Sequence, residues 1–324
     1  MVTEQILIQA LKLYSFTQPR AEFIRHNENI TYKITDVEKE YVLRVHRPIV
    51  GFSTGILGME ISQIELIQSE LDIIMDLGEN TDLPMQKSVY GTNGSLVQVL
   101  ADGTPVTLLE WVSGQTVDSI ELSPYILVDS GKLMAQMHSF FQDNIKPPKH
   151  YVRYCYNQTI LPKITERIEN AAHIEIITPR QTNAIVKALR EIRKRFDELD
   201  SLYEKQIVHA DLMKGNVIIG AGGQLTPIDF SLCGYSHFYM DIGTIYGLSH
   251  DDVGRKNIIL GYKSVRNSEI NPRYIEPYFA LGVLLFIACQ YERARDWDWF
   301  PGNMKRWCGD IFQPLGNVTP FVKI

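Results

Sequence analysis

Apolar and polar residues alternate along residues 22–46, the period expected of half-buried strands. ENITYKIT and EYVLRVH are two β-type runs separated by the charged turn DVEKE. In YVLRV the alternation places Tyr41, Leu43 and Val45 on one face and Val42 and Arg44 on the other. The period then lengthens: LGMEISQIELIQSELDIIMDLGEN sets Ile61, Ile64, Leu71, Ile74 and Met75 near a helical repeat, and Gly78 and Asn80 mark its end. SVYGTNGSLVQVLADGTPVTLLEWVSG returns to strands, turned by Asn-Gly and Asp-Gly. Residues 1–112 are therefore predicted to form a small β-rich lobe with one inserted helix. The opening MVTEQILIQALKLYSF has no basic stretch and no small-residue cleavage site, and reads as an amphipathic helix capped by Thr3.

After Gly114 the pattern becomes helical, and residues 113–324 are predicted to form a larger, mostly helical lobe. SPYILVDSGKLMAQMHSFFQ is a helix started by Ser-Pro, KPPKH breaks it, and a partly charged helical region runs from about 158 to 200. QIVHA, NVIIG and QLTPIDF are three short β-runs inside this lobe, and helices dominate the remainder. The longest apolar run, ALGVLLFIAC (280–289), is too short to cross a bilayer and reads as a buried helix. With 324 residues, 45% of them hydrophobic and 22% charged, the chain has material for two cores. A net charge of −6 argues against a broad basic surface for nucleic acid or an anionic membrane, while leaving room for a local basic cleft. Cys155, Cys233, Cys289 and Cys308 are far apart and form no CxxC pair, which favours free thiols in a reducing, cytoplasmic setting.

The chemistry concentrates in HADLMKGN (209–216) and the β-runs after it. Folding NVIIGAGGQLTPID about GAGG (220–223) pairs Ile219 with Gln224 and brings Asn216 near Pro227 and Ile228. Asn216 and Asp229 then share the open end of one hairpin, and Asp211 lies on the loop entering it. Three oxygen-bearing side chains at one mouth suit phosphoryl transfer. Asn216 and Asp229 supply hard oxygen ligands for Mg²⁺ beside nucleotide phosphates, and Asp211 can orient and deprotonate an attacking hydroxyl.

HADLMKGN fits the kinase catalytic-loop pattern H-x-D-x-x-x-x-N, and IDFS stands where kinases carry D-F-G. VHADLMKGNVIIGAGGQLTPIDF followed by MDIG more closely resembles the aminoglycoside phosphotransferase and choline kinase-like family. The resemblance covers most of the chain and is strongest over 207–243. It implies an α+β, bilobal protein kinase-like fold that uses ATP, or GTP, with Mg²⁺ on small-molecule hydroxyls. It also implies Asp211 as catalytic base, Asn216 and Asp229 as metal ligands, and Asp241 as a buried brace of the catalytic loop. His209 reads as structural support, and Lys214 as a phosphate contact or a solvent-facing cation.

In the first lobe, Val42 and Arg44 on one strand face suit a nucleotide roof: Val42 covers adenine and Arg44 reaches phosphate, as in the kinase V-A-I-K strand with arginine replacing lysine. Glu60, Glu65 and Glu70 are candidate partners for Arg44, and Glu70 matches the family's helix pattern best. RHNENITY lacks G-x-G-x-x-G, so the Asn27–Asn29 turn is the candidate phosphate loop, with Asn29 at its end. LLEWVSG resembles the family's hinge, whose backbone at Glu110, Trp111 and Val112 would meet the adenine edge. Met213 stands where Ser/Thr protein kinases carry lysine, and no A-P-E follows IDFS. Both favour a small-molecule acceptor, with an atypical protein kinase or an inactive nucleotide-binding module as alternatives. In YERARDWDWF, Asp296 and Asp298 alternate with Trp297 and Trp299, a pattern suited to a cationic amino alcohol or aminosugar or, equally, to core packing. Asp251 and Asp252 read as capping or solvent residues.

Overall fold

The computed structural model describes residues 2–58, 60–144, 151–245 and 251–323. The first lobe contains α1 (Val2–Leu11), β1 (Pro19–His26), β2 (Ile30–Asp36), β3 (Lys39–Val45), α2 (Gln63–Asn80), β4 (Gln98–Val99) and β5 (Pro105–Glu110). The strands form one antiparallel sheet in the order β1-β2-β3-β5-β4. Where two β-runs were expected there are thus three strands; β1 is solvent-exposed for most of its length, so burial imposes little alternation on it. The faces of β3 divide as the alternation predicts. Leu43 and Val45 join Ile6 and Ala10 of α1 in one apolar cluster, and Val42 joins Leu71 and Ile74 of α2 in the other. Each such side chain contributes about 1.5–3 kcal/mol by leaving water.

The α2 stripe differs in detail from its expected register. Ile61 precedes the helix, Ile64 is exposed, and the buried face runs through Leu66, Ile67, Glu70, Leu71, Ile74 and Leu77. Gly78 lies inside the last turn, which closes at Thr81, whose N–H donates to the Leu77 carbonyl. Helix α1 begins at Val2, so Thr3 is a helical residue and not its cap. The Asn-Gly and Asp-Gly turns form, with Gly94 and Gly103 at φ +79° and +86°.

The second lobe contains β6 (Gln115–Thr116), α3 (Pro124–Asn144), β7 (Tyr154–Cys155), α4 (Ile160–His173), α5 (Pro179–Asp200), β8 (Gln206–Val208), β9 (Val217–Ile219), β10 (Leu225–Pro227), β11 (Gly234–Ser236), α6 (Tyr239–Ile245), α7 (Asp252–Val265), α8 (Pro272–Gln290), α9 (Phe300–Trp307) and α10 (Gln313–Gly316). The KPPKH break falls outside the described residues. The helical region read as one unit divides in two because Thr178 and Gln181 form a reciprocal capping box with Pro179 in the first turn, which starts α5 afresh. Strand β6, just past the lobe junction, pairs with β9. Gly114 permits that approach: its φ is +148°, and a Cβ there would lie 2.3 Å from the Ile219 carbonyl oxygen.

The β9–β10 hairpin pairs Ile219 with Leu225, Ile218 with Thr226 and Val217 with Pro227. The expected Ile219–Gln224 pairing is one residue off, because Gln224 belongs to the turn, where its carbonyl accepts from the Gly220 N–H. Asn216 still meets the end of the second strand, accepting from the Ile228 N–H at 2.9 Å. The apolar run at 280–289 belongs to a longer helical stretch, Pro272–Asp296, which by length and composition alone could cross a bilayer. In this fold Ile275, Tyr278, Leu281, Leu284 and Ile287 of that stretch are buried in the second lobe's core.

Candidate active site

Strand β8 ends at Val208, and the chain turns sharply into the loop carrying Asp211. Ala210 is held at φ +65°, a strained conformation for a residue with a Cβ. What holds it is Asp241 at the start of α6. Its Oδ1 accepts from the Ala210 N–H at 2.7 Å and its Oδ2 from the His209 N–H at 2.9 Å. Oδ2 also accepts from His138 Nε2, while His138 Nδ1 accepts from the Tyr262 hydroxyl. Burial pushes the Asp241 carboxyl up, but the hydrogen bond from His138 and the neighbouring histidines override it, and the net shift is down. His209 stacks its ring 4.4 Å from Phe230, and its Nε2 donates to the Ile228 carbonyl. Burial lowers its pKa, so it stays neutral and packs between the loop and the hairpin end.

Asp211, Asn216 and Asp229 converge as the hairpin predicts. Asn216 Nδ2 donates to the Asp211 carbonyl at 2.9 Å and to Asp211 Oδ2 at 2.8 Å, which fixes the carboxylate and leaves Asn216 Oδ1 without a donor among the described residues. Burial, then the charge of Asp229, raises the Asp211 carboxyl to about 7. Asp229 adopts φ +64° at the end of the hairpin. Burial opposes its ionisation, but Arg44 and Arg25 hold it at about 2. Arg25 Nη2 lies 2.8 Å from Asp229 Oδ2 and Arg44 Nη1 3.3 Å from Oδ1. Asp229 Oδ1 is buried and, beyond its ion pair with Arg44, has no hydrogen-bond donor among the described residues. A carboxylate fixed by two arginines, lining the same cavity as an amide oxygen, fits a hard divalent cation completed by water and phosphate.

Arg44 also lies 3.3 Å from Glu70 Oε1, both side chains being buried, whereas Glu60 and Glu65 are exposed. Glu28, at the tip of the β1–β2 turn, accepts a hydrogen bond from Ser231. Burial, then Asp229 and Glu70, raises its carboxyl to about 8. Asn27, Glu28 and Asn29 all line the cavity described below. Val42 lies on the Arg44 face of β3 but does not line that cavity, nor do Glu110, Trp111 and Val112. The expected hinge contacts narrow: Glu110 N–H donates to Lys87, its carbonyl accepts from Gln86, and Trp111 N–H donates to Glu40. Those groups are spent on the lobe itself.

Arg153 joins the Asp229 turn to the Glu70 helix, and nothing in its sequence context marks it. It donates to four carbonyls: Cys233 at 2.8 Å, Leu66 at 2.6 Å, Phe230 at 3.1 Å and Ser231 at 2.5 Å. Only a planar guanidinium serves so many acceptors at once. Arg153→Lys keeps the charge but loses the fork, and is expected to destabilise the protein by about 2–3 kcal/mol. Urea denaturation measures this, and an unchanged midpoint would contradict the bracing role.

A cavity of about 610 Å³ opens beside Asp211. One face of α8 lines it with Phe279, Gly282, Val283, Phe286 and Cys289, and Trp299, Arg306 and Trp307 complete that wall. Trp299 thus reaches the cavity, but Asp296 and Asp298 are exposed and do not line it, and Trp297 is stacked on Trp299 at 5.1 Å. The proposed acidic cage is therefore not formed: the short helical turn before α9 directs both carboxylates to solvent. Lys214 is also outside the cavity lining. Asp251 caps α7 through the Gly254 N–H, and Asp252 pairs with Arg255.

A small antiparallel sheet over a helical lobe, with two acids and an amide where they meet, defines a kinase-like phosphotransferase. Residues 20–262 match the APH phosphotransferase enzyme family, and the chain belongs to that family. It is 23% identical to an amicoumacin kinase of Bacillus subtilis (strain 168) over 246 residues, 75% of this chain and 67% of that one. Its fold matches that of a microcompartment-associated aminopropanol kinase with a TM-score of 0.76 at 21% identity, over 98% of this chain and 99% of that one. It also matches an amicoumacin kinase complexed with AMP-PNP, Ca²⁺ and Ami, with a TM-score of 0.73 at 19% identity over 99% and 95%. The chain is a small-molecule kinase that phosphorylates an alcohol group.

Proposed function

We propose that this kinase transfers the γ-phosphate of ATP, bound with Mg²⁺, to a hydroxyl of an acceptor held in the cavity beside Asp211. The observation that carries this reading is the convergence of Asp211, Asn216 and Asp229 on that cavity's wall. Mg²⁺ would neutralise phosphate charge between Asn216 and Asp229. Arg44, fixed by Glu70, orients the nucleotide phosphates, and the Asn27–Asn29 turn covers them. Asp211 takes the proton from the acceptor hydroxyl as its oxygen bonds to phosphorus and the bond to the departing ADP breaks. A nucleotide of the ATP type is supported by the AMP-PNP complex of the related kinase. We place the reaction in the cytosol, a setting that suits ATP and the four free cysteines.

Measurement of ADP release and acceptor phosphorylation across a panel of alcohols tests the reading; nucleotide binding without any transfer would contradict it. Asp211 must be ionised to accept the proton. With its carboxyl raised to about 7, kcat/KM is expected to fall tenfold per pH unit below that value. A profile flat down to pH 5 would remove Asp211 from the base role.

A further inference from the structure

The charged residues of the cavity are unevenly placed. Arg25, Glu28, Asp211 and Asp229 belong to its phosphate end. Along the wall built by α8 and α9, Arg306 is the sole charged side chain among the described lining residues. Arg306 is exposed, and its Nη2 donates to the Asn303 side-chain oxygen, with no acidic partner among the described residues. The wall beside it is aromatic: Phe279, Phe286, Trp299 and Trp307.

From this distribution we infer that the acceptor is a bulky, ring-bearing alcohol whose far end carries a carboxylate or carbonyl facing Arg306, not a compact amino alcohol. The inference rests on the phosphotransferase reading for the position of the reacting hydroxyl. The extent of the aromatic wall comes first. The cavity of about 610 Å³ also takes the nucleotide phosphates beside Asn29 and Asp229, but its α8–α9 wall carries four aromatic rings, most of which a compact acceptor would leave wet. Charge is the second. An ammonium at the far end meets a guanidinium and no carboxylate, so its desolvation goes uncompensated. The rings do not form an open cage for it either. Trp297 and Trp299 stack on each other at an interplanar angle of 12°, and the Arg293 guanidinium already lies 5.5 Å from the Trp297 ring centre. An aromatic body packs edge or face against such walls, and a carboxylate takes the Arg306 fork.

Gly282 makes the idea testable. It lines the cavity at mid-helix, and a Cβ added there meets no atom within 4 Å. Gly282→Leu therefore fills acceptor space, favours helix and touches neither Asp211 nor Asp229. The probes are 4-(hydroxymethyl)benzoate, its cationic counterpart 4-(aminomethyl)benzyl alcohol, and the compact choline and 1-amino-2-propanol. With ATP and Mg²⁺, kcat/KM is expected to be at least about tenfold higher for 4-(hydroxymethyl)benzoate than for either compact alcohol, with the aryl amine between. Gly282→Leu should lower the 4-(hydroxymethyl)benzoate value by about tenfold and leave the KM for ATP unchanged. A compact amino alcohol as the best acceptor, or an equal loss on every acceptor, overturns the inference. If nothing is phosphorylated, the phosphotransferase reading fails separately, and binding decides the cavity's chemistry. Trp299 and Trp307 then report: saturable fluorescence quenching by 4-(hydroxymethyl)benzoate, lost in Gly282→Leu, upholds the inference, and no saturable quenching overturns it.

Discussion

Asp211→Asn is expected to lower kcat by about 10³-fold while affinity for ATP with Mg²⁺ stays close to that of the parent enzyme. The amide matches the carboxylate in size and can still receive the Asn216 Nδ2 hydrogen bond that orients the side chain. What it lacks is a basic oxygen for the hydroxyl proton. Because burial and Asp229 already disfavour the ionised form of Asp211, a neutral substitute relieves repulsion in the cluster and should not lower thermal stability. Loss of turnover with an intact melting temperature and intact nucleotide binding by calorimetry would separate lost chemistry from lost structure. An Asp211→Asn enzyme with near-parental kcat ends the assignment.

Much of this site was legible because its parts are close in sequence. HADLMKGN and IDFS fall on either side of a glycine turn, so hairpin geometry alone brings Asn216 and Asp229 to one mouth. The one-residue register error did little harm, since Asn216 still meets Ile228. Strand alternation likewise put Arg44 and Val42 on the same face of β3. What the sequence hid depends on contacts between distant segments. Arg25 and Glu28 look like ordinary polar turn residues until the first lobe brings them over Asp229 and Ser231. Arg153 follows a stretch with no helical or strand period, and its four carbonyl partners come from both lobes. Strands β7 and β11 are too short to show alternation and exist because Gly234 lets β11 approach within 2.6 Å, for a notional Cβ, of the Tyr154 carbonyl oxygen. The Asp296 and Asp298 pair misled because composition shows which charges are near aromatic rings in sequence but not which way a short helical turn points them.

The other large effect is expected at a residue that never meets substrate. Asp241 is wholly buried and acts on the catalytic loop through two backbone N–H groups, holding Ala210 in its left-handed conformation. Asp241→Asn can present an oxygen to one of these donors, but its NH₂ then faces the other, or faces His138 Nε2–H. At least one buried donor loses its acceptor, and the carboxylate that accepts from His138 disappears. Together these are expected to destabilise the protein by about 3–5 kcal/mol. In a chain of this size that lowers the melting temperature by roughly 6 °C or more. Below the new transition, kcat should still be depressed, because the loop relaxes from the strained turn that aims Asp211 at the cavity, while KM for ATP changes less. His138→Gln, which keeps a donor near Asp241, should cost less stability than Asp241→Asn and add little further loss in the double variant with it. Asp241→Asn melting within about 1 °C of the parent, with unchanged kcat, would mean that the backbone turn at Ala210 is held by something other than this carboxylate.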